Sequence, residues 1–186
     1  MPVLSLPASK NVFVSEHYPD RNYSIADNDV LFLGRFMNIG DSFRSFLQFD
    51  LKQLTKKYSA NIEIESAYLQ IFMYRNEIKS GTIEINIYRL LDPWNQQFLT
   101  WNNQVAFHNI PEQTFIIPSE WEGLMFIELS SLVKKWFKGA IPNYGIILKG
   151  DEDKNCLSGI RSTNYRDPDT HPQLKILYKA SDKISY

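Results

Sequence analysis

Two stretches of the chain place one class of residue at every second position: Ser45, Leu47, Phe49 and Leu51 in the first, Ala67, Leu69, Ile71 and Met73 in the second. Side chains at i and i+2 share one face of a strand, so each stretch turns one side towards a core, which a helical period does not produce. Shorter runs rich in Val, Ile, Phe and Tyr recur at 12–15, 30–33, 82–90, 114–117, 124–129, 144–148, 157–161 and 173–179, separated by Gly, Pro, Asn and Asp. With the alternating stretches read as strands over 43–51 and 62–74, this rhythm predicts an all-β chain, an antiparallel β-sandwich of jelly-roll type.

The opposite faces of the two stretches carry Arg44, Phe46, Gln48 and Asp50, and Tyr68, Gln70, Phe72 and Tyr74. Such an aromatic and polar face is either a ligand platform or the floor beneath a loop. One short helix is expected near residue 130. Ser130 or Ser131 caps it, Leu132/Trp136 and Val133/Phe137 pair at four-residue spacing, and Gly139 with Pro142 ends it. From Leu91 to Trp121 the strand signal is weak and Pro93, Trp94, Trp101, Asn102, Asn103 and Pro111 intervene, which predicts an excursion packed over a sheet face. No repeat or linker breaks the 186 residues, so a single domain is expected over 1–186, with 1–10 and 180–186 as peripheral tails.

Twenty basic and 21 acidic residues give a net charge of −1, which argues against nucleic acid as a partner. The N-terminal residues show no signal-peptide pattern and no stretch has membrane-spanning length, so membrane insertion is not expected. Cys156 stands alone and reads as a buried thiol. The bases a nucleophilic triad would use are His17, His108 and His171, all in expected loops. Glu16, Asp50, Glu84 and Glu128 supply carboxylates, but a glycosidase pair has no recognisable spacing along a β chain. The acidic turn Asp151, Glu152 and Asp153 offers oxygen ligands for a structural calcium ion, against the plainer reading of a solvated loop. Asn22-Tyr23-Ser24 matches the glycosylation acceptor pattern.

The run Arg44-Ser45-Phe46-Leu47-Gln48-Phe49-Asp50-Leu51 resembles a strand of the bacterial DNRLRE domains, which are grouped with carbohydrate-binding module family 96. The resemblance continues in order through Ala67-Tyr68-Leu69, Ile87-Tyr88-Arg89, Trp94, Leu99-Thr100-Trp101-Asn102-Asn103, Leu132-Val133 with Trp136, Asn143-Tyr144-Gly145-Ile146, Arg161-Ser162 and Pro172-Gln173-Leu174. Val105 stands where a proline often follows, and Glu128-Leu129-Ser130 replaces an Asp, aliphatic, Thr triplet. What the resemblance implies is a non-catalytic β-sandwich of extracellular or cell-surface proteins, with bacterial spores as a setting that dispenses with a signal peptide.

Two uses follow. In the first the module binds polysaccharide, with Tyr68, Phe72, Tyr74 and Trp101 stacking on sugar rings and Arg44, Gln48 and Asn103 holding hydroxyls. Against it stands core or under-loop packing of each aromatic, and an internal ion pair of Arg44 with Asp50 or Glu128. In the second the chain is a structural or adhesive surface protein that docks on another surface protein or self-associates as a homo-oligomer through edge strands. A polysaccharide-degrading enzyme is the least favoured alternative, since no catalytic constellation is recognisable; the chain is read as not an enzyme.

Overall fold

The computed structural model describes residues 2–24, 28–52, 54 and 62–180. Among them the strands are β1 (Val3–Pro7), β2 (Lys10–Ser15), β3 (Val30–Arg35), β4 (Ser42–Gln48), β5 (Ile62–Asn76), β6 (Thr82–Arg89), β7 (Gln113–Pro118), β8 (Gly123–Glu128), β9 (Ile146–Lys149), β10 (Ser158–Arg161) and β11 (Gln173–Ala180), and helix α1 is Ser130–Phe137. Every ladder between these strands is antiparallel.

The strands form two layers. In sheet A the order is β1, β11, β5 and β8, and β10 continues the β11 side of β5 and pairs with β3. Sheet B runs β2, β4, β9, β6, β7. The layers share β3: Val30 to Leu33 pair with β10, whereas Gly34 and Arg35 pair with β4. The strand turns that corner at Gly34, whose φ of 85° lies in the region glycine tolerates best.

Between the layers lies one apolar core. Leu69, Ile71 and Met73 of β5 with Leu174 and Ile176 of β11 meet Leu47 of β4, Ile83, Ile85 and Ile87 of β6 and Ile146 and Leu148 of β9. Both alternating stretches therefore turn their apolar rows inward as expected. The first is shorter than its pattern: β4 ends at Gln48, although Phe49 and Leu51 remain buried beyond it. β9 begins at Ile146 rather than Tyr144, because Gly145 at a φ of 94° breaks the extended run. Residues 3–7, which carry no strand signal in the sequence, form the edge strand β1, with Leu6 buried. The C-terminal tail from 181 onward lies outside the described residues.

Sheet B is covered on its outer side as well. Val12 and Val14 of β2, Phe46 of β4 and Ile147 of β9 form a second cluster with Leu90, directly after β6, and with Trp94 and Leu99 of the excursion. The expected covering thus falls on the outer row of β4 and its neighbours, and the outer row of β5 lies on the other layer. Trp94 is locked in place: its indole N–H donates to the Tyr144 carbonyl at 2.8 Å, and Lys10 Nζ donates to the Trp94 carbonyl at 2.8 Å. Neither expected serine caps α1. Leu129 occupies the N-cap without a side-chain bond, because Ser130 is bonded elsewhere, accepting from the Ala67 amide at 3.0 Å and donating to Glu128 at 3.0 Å. Leu132, Val133 and Trp136 face the core from the helix.

A methyl group at the β3 corner would stand 2.7 Å from the Cys156 carbonyl oxygen, on top of the left-handed backbone cost. Gly34→Ala is expected to lower stability by at least about 2 kcal/mol, read from the midpoint of chemical denaturation.

Candidate functional site

The excursion covers only half of the outer face of sheet B, the half formed by β2, β4 and β9. Beyond it, the outward row of β6, Thr82, Glu84, Asn86 and Tyr88, is the opposite face of the strand that sends Ile83, Ile85 and Ile87 into the core. This row, with Ile116 of β7 and Lys149 of β9, floors a cleft of about 540 Å³ whose wall is the turn from Gly150 to Lys154. That volume lies within the range of ligand clefts.

One ion-pair cluster ties the cleft to the covered half. Arg44, facing outward on β4, donates from Nε and Nη2 to the two oxygens of Glu152 at 2.7 and 2.8 Å, a bidentate pair. Its third nitrogen donates to Gln104 Oε1 at 3.1 Å, and the guanidinium lies over the Trp101 ring at 4.3 Å. The expected partners Asp50 and Glu128 are not the ones found: Asp50 lies past the end of β4, and Glu128 sits on β8 in sheet A. Glu152 also receives Lys149 at 3.6 Å, and Lys149 Nζ stands 5.4 Å from the Phe107 ring, which packs on Tyr88 at 5.2 Å. Burial pushes the Lys149 ammonium below the usual lysine range and the Arg44 charge adds to this, while Glu152 opposes both.

The turn itself is held by its own bonds. Asp151 Oδ1 accepts from the Asp153 amide at 2.8 Å, Oδ2 pairs with Lys154 at 3.1 Å, and the Asp151 carbonyl accepts the Cys156 thiol at 2.8 Å. Burial pushes Asp151 upward, but the Asp153 amide and Lys154 outweigh it and hold the carboxyl below its ordinary value. Of the calcium candidates Asp151, Glu152 and Asp153, the first two direct their oxygens to different donors, and among the described residues no three His, Cys, Asp or Glu side chains converge as a metal site would require.

The seven side chains expected at a sugar site fall in four places. Arg44 and Trp101 come together, with Glu152, at the cleft boundary. Asn103 lies in the excursion, where Oδ1 accepts from the Thr100 amide at 2.7 Å and Nδ2 donates to the Phe98 carbonyl at 2.8 Å. Gln48, at the end of β4, donates to the Asn143 carbonyl at 2.9 Å. Tyr68, Phe72 and Tyr74 line the outer face of sheet A. Tyr68 is flanked by Lys175 and Glu128, and Phe72 by Leu124. Tyr74 packs against Gly159, where a Cβ would meet the phenol oxygen at 2.9 Å, and lies 4.5 Å from the Arg161 guanidinium. Burial pushes its phenol up to about 12. Sequence reasoning did not assemble Asn86, Tyr88 and Lys149 with the acidic turn; the signal available was the polar row of β6 opposite three isoleucines.

The fold and cleft define a β-sandwich module with an open, polar surface groove. The chain belongs to carbohydrate-binding module family 96, whose sequence model matches residues 2–178. No curated protein matches the sequence at a significant level.

Two titrations check the electrostatics. In Glu152→Gln the Lys149 amine loses the charge that raises it, so its titration moves to still lower pH, read by nitrogen NMR of the ammonium. For Tyr74 the neutral phenol is favoured by folding, so its contribution is complete below pH 10 and is lost as pH rises from 10 towards 12; tyrosinate absorbance followed alongside unfolding is expected to show Tyr74 ionising in that window.

Proposed function

We propose that the protein is a non-catalytic carbohydrate-binding module that holds a polysaccharide chain in the cleft between β6 and the 150–154 turn. The observation that carries this reading is the composition of that cleft. Hydroxyl, carboxylate, amide and phenol groups alternate along one strand row and face a wall of carboxylates and an ammonium group, which suits the many donors and acceptors of a sugar chain. Tyr88, partly buried, supplies the ring surface against which sugar C–H groups pack. Membership of a carbohydrate-binding family supports the same assignment.

A non-catalytic role agrees with the state of the carboxylates. Glycoside hydrolysis needs one acid kept protonated by burial, yet Asp151 is held below its ordinary value and Glu152 is bound by Arg44 and Lys149. The setting proposed is extracellular or on the cell or spore surface, where such polymers occur. No helix among the described residues is long and apolar enough to cross a membrane.

Tyr88→Ala and Asn86→Ala are each expected to weaken binding to the recognised polysaccharide by about tenfold or more in a protein that remains folded by circular dichroism, measured by calorimetry after a glycan-panel screen. Tyr68→Ala, on the other layer, is expected to leave it unchanged, and chelator is expected to have no effect. Equal loss in Tyr68→Ala with none in Tyr88→Ala would move the site to sheet A.

A second reading, docking or self-association at a surface, is favoured by one feature. Among the described residues β8 pairs on one side only, with β5, and presents Leu124 and Phe126 outward at 42% and 56% exposure. Under this reading mass grows with concentration in analytical ultracentrifugation, and Phe126→Lys abolishes the growth; a constant monomer mass removes it.

A further inference from the structure

The floor of the cleft on sheet B ends against the excursion, and strand register fixes where. Arg44, Lys149, Asn86 and Thr114 stand opposite one another in one outward row across β4, β9, β6 and β7, and Phe46, Ile147 and Tyr88 form the next row. On the first row the excursion covers Arg44 through Trp101; past it Asn86 is half-buried and Thr114 exposed. On the second row it reaches β6 itself. Phe46 and Ile147 are fully buried, and Phe107, which bridges to Leu90 just past the end of β6, packs on the Tyr88 ring at 5.2 Å.

Exposure along the floor runs the same way: Thr82 and Glu84 are exposed, Asn86 and Tyr88 half-buried. Lys149 joins the end wall to the side wall, its Nζ lying 5.4 Å from the Phe107 ring and 3.6 Å from Glu152 in the 150–154 turn. The other two sides are open. Among the described residues β7 pairs with β6 alone, with Ile116 62% exposed, and Thr82 follows the exposed Gly81. From Thr82 to Tyr88 the strand runs about 20 Å, room for a few linked sugar rings. An internal stretch of polymer laid along β6 needs an exit past Tyr88, and Phe107 stands there. A chain end needs none, and its last ring meets the Asn86 carboxamide, the Lys149 ammonium and the Tyr88 ring. The Asn86 amide donates one hydrogen to Glu84 at 3.0 Å and accepts from Thr114, which keeps its second hydrogen and second lone pair for that ring.

The geometry points to a blind groove that recognises the end of a polysaccharide chain, with the terminal ring at the corner of Asn86, Tyr88 and Lys149 and the following rings leading out past Glu84 and Thr82. This rests on the cleft reading above and narrows its substrate from a chain to a chain terminus.

The test takes the polysaccharide that the glycan panel returns, prepared as size fractions of known mean chain length, and titrates the whole protein chain with each by calorimetry. Halving the mean chain length is expected to double the binding sites per gram with Kd unchanged, because every chain carries the same number of recognised ends. Sites per gram that stay constant as the chains shorten show binding to internal segments, and overturn the blind groove while leaving the cleft in place. Amide NMR locates the terminal ring. The shortest oligomer that binds is expected to shift Asn86 and Tyr88 and to leave Thr82 unmoved; Thr82 shifting first overturns the corner as the place of the chain end. Asn86→Ala separates the two readings: binding weakened about tenfold or more in every size fraction supports the cleft, whereas binding unchanged in every fraction removes the cleft and the blind groove with it. A panel in which no polysaccharide binds removes both as well.

Discussion

The outer face of sheet B is the constraint on which the other features depend. β2, β4 and β9 are apolar on both sides, with Leu47, Ile146 and Leu148 turned inward and Val12, Val14, Phe46 and Ile147 outward. An uncovered outer row would leave each of these large side chains short of about 1.5–3 kcal/mol of burial. The excursion after β6 supplies the cover through Trp94 and Leu99, and where it stops the cleft begins. Cover and cleft are two parts of one sheet face, and Arg44, beneath Trp101 and bonded to Glu152, marks the line between them.

The layers and most strands were legible in the sequence because their signal is local. A two-residue period in 67–73 decides which face of β5 is buried, whatever it pairs with. β1 was not legible, since Val3-Leu4-Ser5-Leu6-Pro7 becomes a strand by borrowing the hydrogen bonds of β11 nearly the whole chain away. The N-cap of α1 failed for a related reason, although Gly139 ends the helix as expected: a serine in the right place is bonded to β5, a partner that spacing along the chain does not reveal.

The candidate site was legible only in fragments. Arg44, Trp101 and Glu152 were singled out in the sequence for separate reasons, and tertiary structure made them one cluster. Tyr68, Phe72 and Tyr74 share a face, as alternation requires, but that face belongs to the other layer. Chain pattern tells which side of a strand a residue occupies; whether two such sides belong to the same surface depends on strand order, to which alternation is blind.

The pairing of first and last strands has a mechanical consequence. Val3 lies opposite Leu177 and Pro7 opposite Gln173, so the ladder's outermost rung is also the one nearest to both ends of the described chain. Tension drawn between those ends pulls across the hydrogen bonds in turn, rung after rung, rather than along all of them together. As a link in a loaded tether the domain would open by peeling at this seam, shedding β1 while the remaining layers kept their grip on each other.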